Sequence, residues 1–464
     1  MAHPLQALRD VMAEHQIDAY LIPTADFHGS EYVGEHFACR EYISGFTGSA
    51  GTLLVFANWA GLWTDGRYFL QAAEELKGSD IRLMKQGEPG VPTIEAFLRA
   101  SLQPEQTLGF DGRCVDARTG RRYHALARQL GGKINHQLDL VGEVWPQRPP
   151  LSAQPAWLLS EEYAGVSRRE KLREIRGAMT AEGADVLLLT SLEDIAWLLN
   201  LRGDDVACNP VVLAFAAVEP ERVLLFAQPA AFDEALQKRL AADGVELAPY
   251  EEIYDYVKAL PEGTALWRDA AQAGDALWNS VPADVLLLDE ESPVRLHKAC
   301  KNPTELENIR ECHVRDGVAV VRFQMDLEKA IANGETLYET DIETMLPKRR
   351  AEMPGYFEDS FSTIAAYGTN AAMMHYHAEG DVNSKIEPKG FLLVDNGGQY
   401  DCGTTDITRT YTVGPLTDNE RRYYTYVLQS HIDMARAVFL DYCTGFALDT
   451  FARGPVWAHK INYR

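Results

Sequence analysis

The stretch FLLVDNGGQYDCGTTDITRTYTV, residues 391–413, is the most informative part of this sequence. Residues 392–394 form a continuous apolar run, and residues 407–413 alternate apolar or aromatic side chains with threonine and arginine. Both patterns are typical of β-strands. The segment between them is rich in glycine, asparagine and aspartate, which favour tight connections. The stretch therefore predicts a β-hairpin with one aspartate, Asp395 or Asp406, where each strand meets the loop.

The spacing of these two aspartates suggests a specific chemistry. If the hairpin is centred between Tyr400 and Asp401, Asp395 lies directly opposite Asp406, with Cβ atoms roughly 5 Å apart. Two carboxylates this close repel each other unless they share a proton, meet a basic side chain or bind a cation. Oxygen ligands favour Mn²⁺ or Mg²⁺, and further histidine or glutamate ligands extend the choice to Co²⁺ or Zn²⁺. Spacing alone leaves open a metal site or two aspartates that cap turns.

The composition excludes several classes of function. The chain has 464 residues, 46% of them hydrophobic and 24% charged, which is typical of a globular protein with two or three domains. Its formal net charge is -24. Because phosphate binding needs a basic surface, this charge argues against a nucleic-acid partner, and it also disfavours docking onto an anionic membrane.

The sequence predicts a cytoplasmic protein. Arg9, Asp10 and Glu14 interrupt the N-terminal segment too early for the apolar core of a signal peptide. The uncharged run at residues 42–64 contains several glycines and is typical of strands and turns, not of a membrane span. The seven cysteines are odd in number, scattered and without a CxxC pair, which indicates free thiols in a reducing compartment.

Two segments of the sequence resemble each other. Residues 5–24 and 172–191 each place apolar residues at the spacing of an amphipathic helix and follow them with a short apolar strand. Ser167 and Glu170 form a capping-box pattern at the start of the second copy. A chance similarity is the alternative, but the repeat favours two related α/β domains.

Proline-rich segments suggest the domain boundaries. Residues 146–155 carry four prolines in ten positions and predict an extended connector. A second boundary lies within residues 292–303, where Pro303 begins a long helix that runs to about Ala332. The predicted domains are residues 1–147, 158–293 and 300–464, of which the third mixes helices with hairpins.

The hairpin sequence resembles the metal-site hairpin of the pita-bread metallopeptidases, and specifically of the aminopeptidase P (Xaa-Pro aminopeptidase) family. Further segments that resemble this family are residues 42–52, 63–69, 192–203, 209–210, 361–365 and 374–376. The resemblance covers essentially the whole chain. It implies an α/β (α+β) fold class, with two creatinase-N-terminal-like α/β domains followed by a pita-bread domain.

The resemblance also implies site residues and partners. Asp395 and Asp406 match the aspartates that bridge two divalent metal ions, expected to be Mn²⁺ with Co²⁺ or Zn²⁺ as alternatives, which together activate a water molecule. His375 matches a histidine that contacts substrate or stabilises the tetrahedral intermediate. Thr408 and Arg409 would tune the geometry of the metal strand. Proline-containing peptides are the implied substrates, and a homodimer is the implied assembly.

This sequence departs from the family pattern after Asp406. The family completes its site with a histidine in a glycine-rich stretch and two later glutamates. Here only His431 and His459 follow, neither in that context, and no glutamate follows Glu420. We therefore expect a pita-bread domain truncated before these ligands, metal binding that is weak at most and no activity of this chain alone. We also expect roughly the last 50 residues to pack poorly.

Three functions are compatible with these observations. The first is release of the N-terminal residue from Xaa-Pro peptides by a metallo-aminopeptidase. The second is an Xaa-Pro dipeptidase (prolidase), which shares the hairpin but is disfavoured by the two leading domains. The third is a non-catalytic peptide-binding pita-bread module, which is disfavoured because such a module does not need the paired carboxylates Asp395 and Asp406.

Overall fold

The computed structural model describes residues 4–378 and 383–462. These residues form two compact units. The first unit comprises residues up to 314 together with residues 355–361 and 398–405. The second unit comprises residues 315–354, residues 362–397 and the chain from residue 406 onward.

The first unit begins with a six-stranded sheet and its helices, which we call the first lobe. Its helices are α1 (Pro4–Glu14), α2 (Cys39–Ser44), α3 (Phe69–Glu75), α4 (Ile94–Ser101), α5 (Ala117–Leu130) and α6 (Leu140–Val144). Its strands are β1 (Ala19–Pro23), β2 (Thr52–Phe56), β3 (Trp59–Thr64), β4 (Ile81–Lys85), β5 (Thr107–Phe110) and β6 (Lys133–Asn135). The strand order is β4-β3-β2-β1-β5-β6. Helix α1 buries Leu5, Leu8 and Met12, the stripe that its sequence predicts.

A second six-stranded sheet follows in the same unit, and with its helices it forms the second lobe. Its helices are α7 (Glu161–Ala164), α8 (Arg168–Glu182), α9 (Leu192–Leu199), α10 (Glu234–Ala241), α11 (Glu252–Lys258), α12 (Asp275–Asn279) and α13 (Pro293–Ala299). Its strands are β7 (Trp157–Leu158), β8 (Val186–Leu189), β9 (Leu201–Arg202), β10 (Ala214–Val218), β11 (Val223–Ala227), β12 (Val245–Pro249), β13 (Ala265–Arg268) and β14 (Leu286–Asp289). The six-stranded order is β12-β11-β10-β8-β13-β14, while β7 pairs with β9.

The two lobes share one topology. Strand β1 is antiparallel to β2 and parallel to β5, and β8 is likewise antiparallel to β10 and parallel to β13. A helix, α1 or α8, precedes this central strand in each lobe. Ser167 and Glu170 form the predicted capping box at the start of α8. The predicted succession of two similar α/β folds is therefore confirmed.

The long helix also begins and ends where the sequence predicts. Residues 146–155, the predicted connector, contain neither helix nor strand. Helix α14 (Pro303–Ala332) starts at the predicted proline. It is followed by Gly334, which has a φ of +71° and can adopt this left-handed conformation without a steric penalty.

The core of the second unit packs helices against a small antiparallel sheet. The remaining helices are α15 (Glu339–Arg350), α16 (Asp418–Ala435) and α17 (Gly445–Ala458). The remaining strands are β15 (Tyr356–Asp359), β16 (Ile364–Tyr367), β17 (Phe391–Asn396), β18 (Gly398–Tyr400), β19 (Gly403–Thr404) and β20 (Ile407–Thr412). Of these, β15, β18 and β19 belong to the first unit and form one sheet there. Strands β16, β17 and β20 form one sheet, in the order β16-β17-β20. Phe323 of α14 and Leu346 of α15 pack with Val394 of β17 in its hydrophobic core.

The last two helices leave much apolar surface exposed. Ser430 is the buried residue of α16, and Val456 is that of α17. In the segment that joins them, Val438 is 93% exposed and Tyr442 is fully exposed. This agrees with the expectation that the C-terminal segment packs poorly. Among the described residues, no helix is both long enough and apolar enough to cross a membrane.

Candidate metal centre

The hairpin forms, but its register differs from the prediction. In the β17–β20 pair, Asp395 lies opposite Thr408, and at the hairpin tip Tyr400 lies opposite Gly403. The two-residue turn is therefore one position later than predicted. The predicted direct pairing of Asp395 with Asp406 is wrong, because moving the turn by one residue moves every cross-strand partner by two.

The corrected register still brings the two aspartates to one face. A shift by two residues leaves each side chain on the same face of the hairpin. The side chain of Asp406, two positions before Thr408, is therefore expected on the face that carries the side chains of Thr408 and Asp395. The aspartates are then diagonal neighbours, a separation at which Cβ atoms lie roughly 7 Å apart. Partial burial and the negative charge of Asp395 raise the pKa of Asp406. Like-charge repulsion between these carboxyl groups is thus present at the predicted place.

Thr408 contacts one of the carboxylates directly. Its Oγ1 donates a hydrogen bond of 2.6 Å to Oδ1 of Asp395, which fixes the orientation of that carboxylate. Arg409 does something different, since its Nη1 donates to the backbone carbonyl of Thr408 at 2.7 Å. Thr408 is therefore placed to orient the Asp395 carboxylate, and Arg409 supports the strand.

A buried polar network holds the end of strand β17. The side chain of Arg350 is fully buried, and its Nε donates to Oδ1 of Asp316 at 2.7 Å. Nη2 of the same arginine donates to Oδ1 of Asn396 at 2.5 Å. Because Asn396 follows Asp395 directly, helices α14 and α15 fix the backbone that carries this aspartate. Loss of any one of these residues would leave a charged or polar group buried without its partner, so the network requires all three.

His375 lies in a segment that a buried glutamate anchors. Glu339, fully buried at the start of α15, accepts hydrogen bonds from the backbone amides of Tyr367 and Ser384 at 2.6 and 2.7 Å. It also accepts one from the hydroxyl of Tyr376 at 2.7 Å. The segment leaves strand β16, the neighbour of β17 in the sheet. His375 itself is half-buried, and its role at the site stays a prediction.

Sequence reasoning missed the residues that support the site. Asp316 lies on the buried face of α14 with Cys312 and Phe323, at helical spacing. A charged residue on an apolar stripe indicates a buried ionic partner, and this signal could have identified it. Glu339 offers no such signal, because a glutamate in the first turn of a helix is ordinary in an exposed position.

The carboxylate pair fits a divalent cation only in part. Among the described residues, neither Asp395 nor Asp406 forms an ion pair with lysine or arginine, so no basic side chain offsets their repulsion. A cation would offset it. In the same part of the chain, no histidine, cysteine or glutamate joins the two carboxylates in a group of three. Asp395 and Asp406 could bind a metal ion, and their two carboxylates would be its protein ligands.

Three family models match the chain. The Creatinase/Prolidase N-terminal domain model matches residues 4–148, and a second Creatinase/Prolidase N-terminal domain model matches residues 147–305. The Metallopeptidase family M24 model matches residues 307–464. The three models succeed one another along nearly the whole chain, which confirms the predicted fold class.

Individual relatives agree with these models. A probable Xaa-Pro aminopeptidase P of Laccaria bicolor is 37% identical over 99% of this chain and 72% of its own length. Aminopeptidase P1 of Arabidopsis thaliana is 35% identical over 100% of this chain and 79% of its own length. The predicted truncation is not confirmed by these matches, which cover essentially all of the chain.

A solved structure shows the same arrangement of elements. The X-prolyl aminopeptidase of Caenorhabditis elegans matches with a TM-score of 0.94 and 30% identity, over 99% of this chain and 78% of that one. That protein is described as a cytosolic enzyme with a di-nuclear active site.

The buried network generates a prediction about stability. We expect Arg350→Ala to lower the free energy of unfolding of the second unit by roughly 3–5 kcal/mol, because it leaves the Asp316 carboxylate buried without its partner. Amide hydrogen exchange of β17, measured by mass spectrometry, reports the loss. Arg349→Ala is the matched control, since Arg349 pairs with Asp326 at the surface and its loss should change little. Equal effects of the two substitutions would contradict this role.

The repulsion between the aspartates generates a prediction about pH. The raised pKa of Asp406 means that the protonated form is favoured in the folded state. Protonated Asp406 therefore stabilises the folded state relative to the unfolded state. This stabilisation is complete below the ordinary carboxyl pKa, about 3.9, and is lost as the pH rises through the raised pKa of the folded state. We expect Asp406→Asn to raise the Tm of the metal-free chain at neutral pH.

This gain should disappear at about pH 3.9 and below, where the aspartate is neutral. The measurement is thermal unfolding in EDTA over a series of pH values. Asp401→Asn, an exposed aspartate of the same hairpin, serves as control and should show no such gain. A Tm that does not change in Asp406→Asn would show that the two carboxylates do not repel.

Proposed function

Because the chain belongs to the Xaa-Pro aminopeptidase P branch of the M24 metallopeptidases, we propose that the function of its metal centre is the release of the N-terminal residue from peptides whose second residue is proline. The observation that carries this proposal is the placement of Asp395 and Asp406 on one face of the hairpin. Partial burial and the charge of Asp395 raise the pKa of Asp406, and a divalent cation between the two carboxylates would offset both effects.

Each residue of the site has a distinct proposed task. Divalent ions at such a pair supply a nucleophilic water at neutral pH and polarise the scissile carbonyl. Asp395 and Asp406 would hold these ions, and the hydrogen bond from Thr408 orients the Asp395 carboxylate. His375 would donate a hydrogen bond to the oxygen of the scissile carbonyl as negative charge develops there. The contacts of Glu339 keep the segment that carries His375 in place.

Several finer features belong to the same proposal. We propose two Mn²⁺ ions as the metals, with Co²⁺ or Zn²⁺ as alternatives, proline-containing peptides as substrates and a homodimer as the assembly. We also propose domain boundaries at residues 1–147, 158–293 and 300–464. A cytoplasmic location is supported by the description of the Caenorhabditis elegans relative as cytosolic and by the free state of all seven cysteines.

The alternatives remain an Xaa-Pro dipeptidase and a non-catalytic peptide-binding module. Two complete lobes before the M24 segment favour the aminopeptidase, since the Xaa-Pro aminopeptidase relatives match over both lobes. The uncompensated pair of Asp395 and Asp406 argues against a binding module, because paired carboxylates without a cation destabilise the fold and contribute nothing to peptide binding.

The role of the aspartates can be tested by metal binding. We expect the chain to bind Mn²⁺ weakly. We expect Asp395→Asn or Asp406→Asn to lower the Mn²⁺ affinity by more than about tenfold, because loss of a residue that only supports a metal ligand already lowers the affinity about tenfold. The electron paramagnetic resonance signal of free Mn²⁺ during a titration measures the affinity. Asp401→Asn should bind as the unchanged chain does. If all three variants bind Mn²⁺ with equal affinity, Asp395 and Asp406 are not metal ligands.

Peptide hydrolysis tests the activity itself. For a polypeptide of these 464 residues alone, we expect no turnover of an Xaa-Pro tripeptide with added Mn²⁺, because its described residues bring together only two carboxylates at the hairpin. Chromatographic detection of the released residue is the measurement. Release that Asp395→Asn abolishes would contradict the inactivity and support the aminopeptidase. Cleavage of an Xaa-Pro dipeptide but not of the tripeptide would favour the dipeptidase instead.

A further inference from the structure

Three side chains of metal-binding type converge in the first unit, which does not include Asp395 or Asp406. They are His124, His136 and Asp275, and one ligand atom from each lies within 4.8 Å of the others. Among the described residues this is the one such group of three. Neither the family resemblance nor the proposed peptidase chemistry uses it.

The geometry of the cluster centres on one carboxylate oxygen. Oδ2 of Asp275 lies 2.5 Å from Nδ1 of His136 and 3.1 Å from Nε2 of His124. The two imidazole rings are perpendicular, with centroids 5.2 Å apart. Both rings therefore direct a nitrogen at the same oxygen from different sides.

The fold brings these residues together from distant parts of the chain. His124 lies in α5 and His136 directly follows β6, both in the first lobe, whereas Asp275 is the first residue of α12 in the second lobe. The backbone amide of Asp275 donates to the carbonyl of Val115 at 2.7 Å. The amide of Ala276, the next residue, donates to the carbonyl of Gly112 at 2.8 Å. The cluster thus lies on a seam where hydrogen bonds already join the two lobes.

The position of the Asp275 side chain is fixed by packing. The carboxylate is fully buried. Gly120 of α5 packs against it so closely that a Cβ atom at this position would collide with Oδ1 of Asp275. A rigid, preorganised ligand of this kind lowers the entropic cost of binding an ion.

The charge of Asp275 lacks a permanent counter-charge. Its described partners are the two imidazoles, and in the described chain no lysine or arginine forms an ion pair with it. Among the described residues, Oδ1 of Asp275 has no hydrogen-bond partner. Burying a charged carboxylate costs free energy, and a divalent cation at Oδ2 would supply a permanent counter-charge.

The chemistry of the ligand set points to one ion. Two imidazole nitrogens and a carboxylate oxygen, with water as a fourth ligand, are a typical tetrahedral set for Zn²⁺. Water can enter because the His124 side chain is 32% exposed, while that of His136 is 18% exposed. Tetrahedral bonds to Zn²⁺ need ligand atoms roughly 3.3 Å apart, which requires a small opening of the present hydrogen bonds.

We propose that His124, His136 and Asp275 bind a Zn²⁺ ion that fastens the first lobe to the second. Each imidazole then carries a proton only on the nitrogen that faces away from the ion. The ion replaces two hydrogen bonds by coordinate bonds that span the seam. Its role is structural, because the site lies outside the unit that holds the hairpin aspartates.

The test separates this site from the hairpin aspartates. The chain carrying both Asp395→Asn and Asp406→Asn is stripped with EDTA, incubated with Zn²⁺ and desalted, and its metal content is measured by mass spectrometry. We expect a single Zn²⁺ per chain and a higher Tm than in the stripped sample. Adding His136→Ala should abolish both effects. Adding His15→Ala, which removes an exposed first-lobe histidine paired with Glu143, should abolish neither.

A second variant protects the test against misfolding. His124→Gln keeps an N–H donor for Asp275 but removes an imidazole ligand, so we expect a folded chain that no longer retains Zn²⁺. Co²⁺ provides an independent readout, because a tetrahedral site gives it visible absorption bands that His124→Gln should eliminate. Absence of Zn²⁺ from the doubly substituted chain, or its retention in both histidine variants, would overturn the proposal. The three side chains would then join the lobes by hydrogen bonds alone.

Discussion

The repulsion between two carboxylates on one face of a hairpin is the constraint around which the second unit is organised. Asp395 and Asp406 are held near each other by the ladder that joins β17 to β20, although the repulsion between their like charges opposes this arrangement. A fold tolerates such opposition where a ligand offsets it, and for this reason strained electrostatics tend to occur at functional sites. The metal chemistry proposed for this family of proteins follows from that single arrangement.

Buried polar networks keep the arrangement rigid. Arg350 connects Asp316 of α14 to Asn396 of β17, and none of the three side chains reaches solvent. Glu339 does the same for the segment that carries His375, by accepting donors from both of its ends. Such networks are costly when one member is missing, so they specify one backbone position strongly. Both networks begin on helices that precede the hairpin in the chain, and the site therefore depends on helix packing as much as on the hairpin.

The first unit depends on the contacts that join its two lobes. Two lobes of equal topology must stay together, and a seam of backbone hydrogen bonds beside His136 and Asp275 joins them. A buried carboxylate on such a seam would weaken it unless its charge is offset. Two imidazoles contact this carboxylate, and the proposed Zn²⁺ ion would offset its charge and join the two lobes there.

The sequence by itself determined the local features of this protein. Helix α1 with its buried stripe, the capping box at Ser167 and the strands on either side of the hairpin depend on residues close together in the chain, and each was predicted correctly. Only the tertiary structure decided that Asp395 faces Thr408, because moving a two-residue turn by one position costs little locally yet changes every pairing. It alone placed Arg350 beside Asp316 and His124 beside Asp275, since contacts between distant segments depend on how helices pack and leave no periodic signal in the sequence.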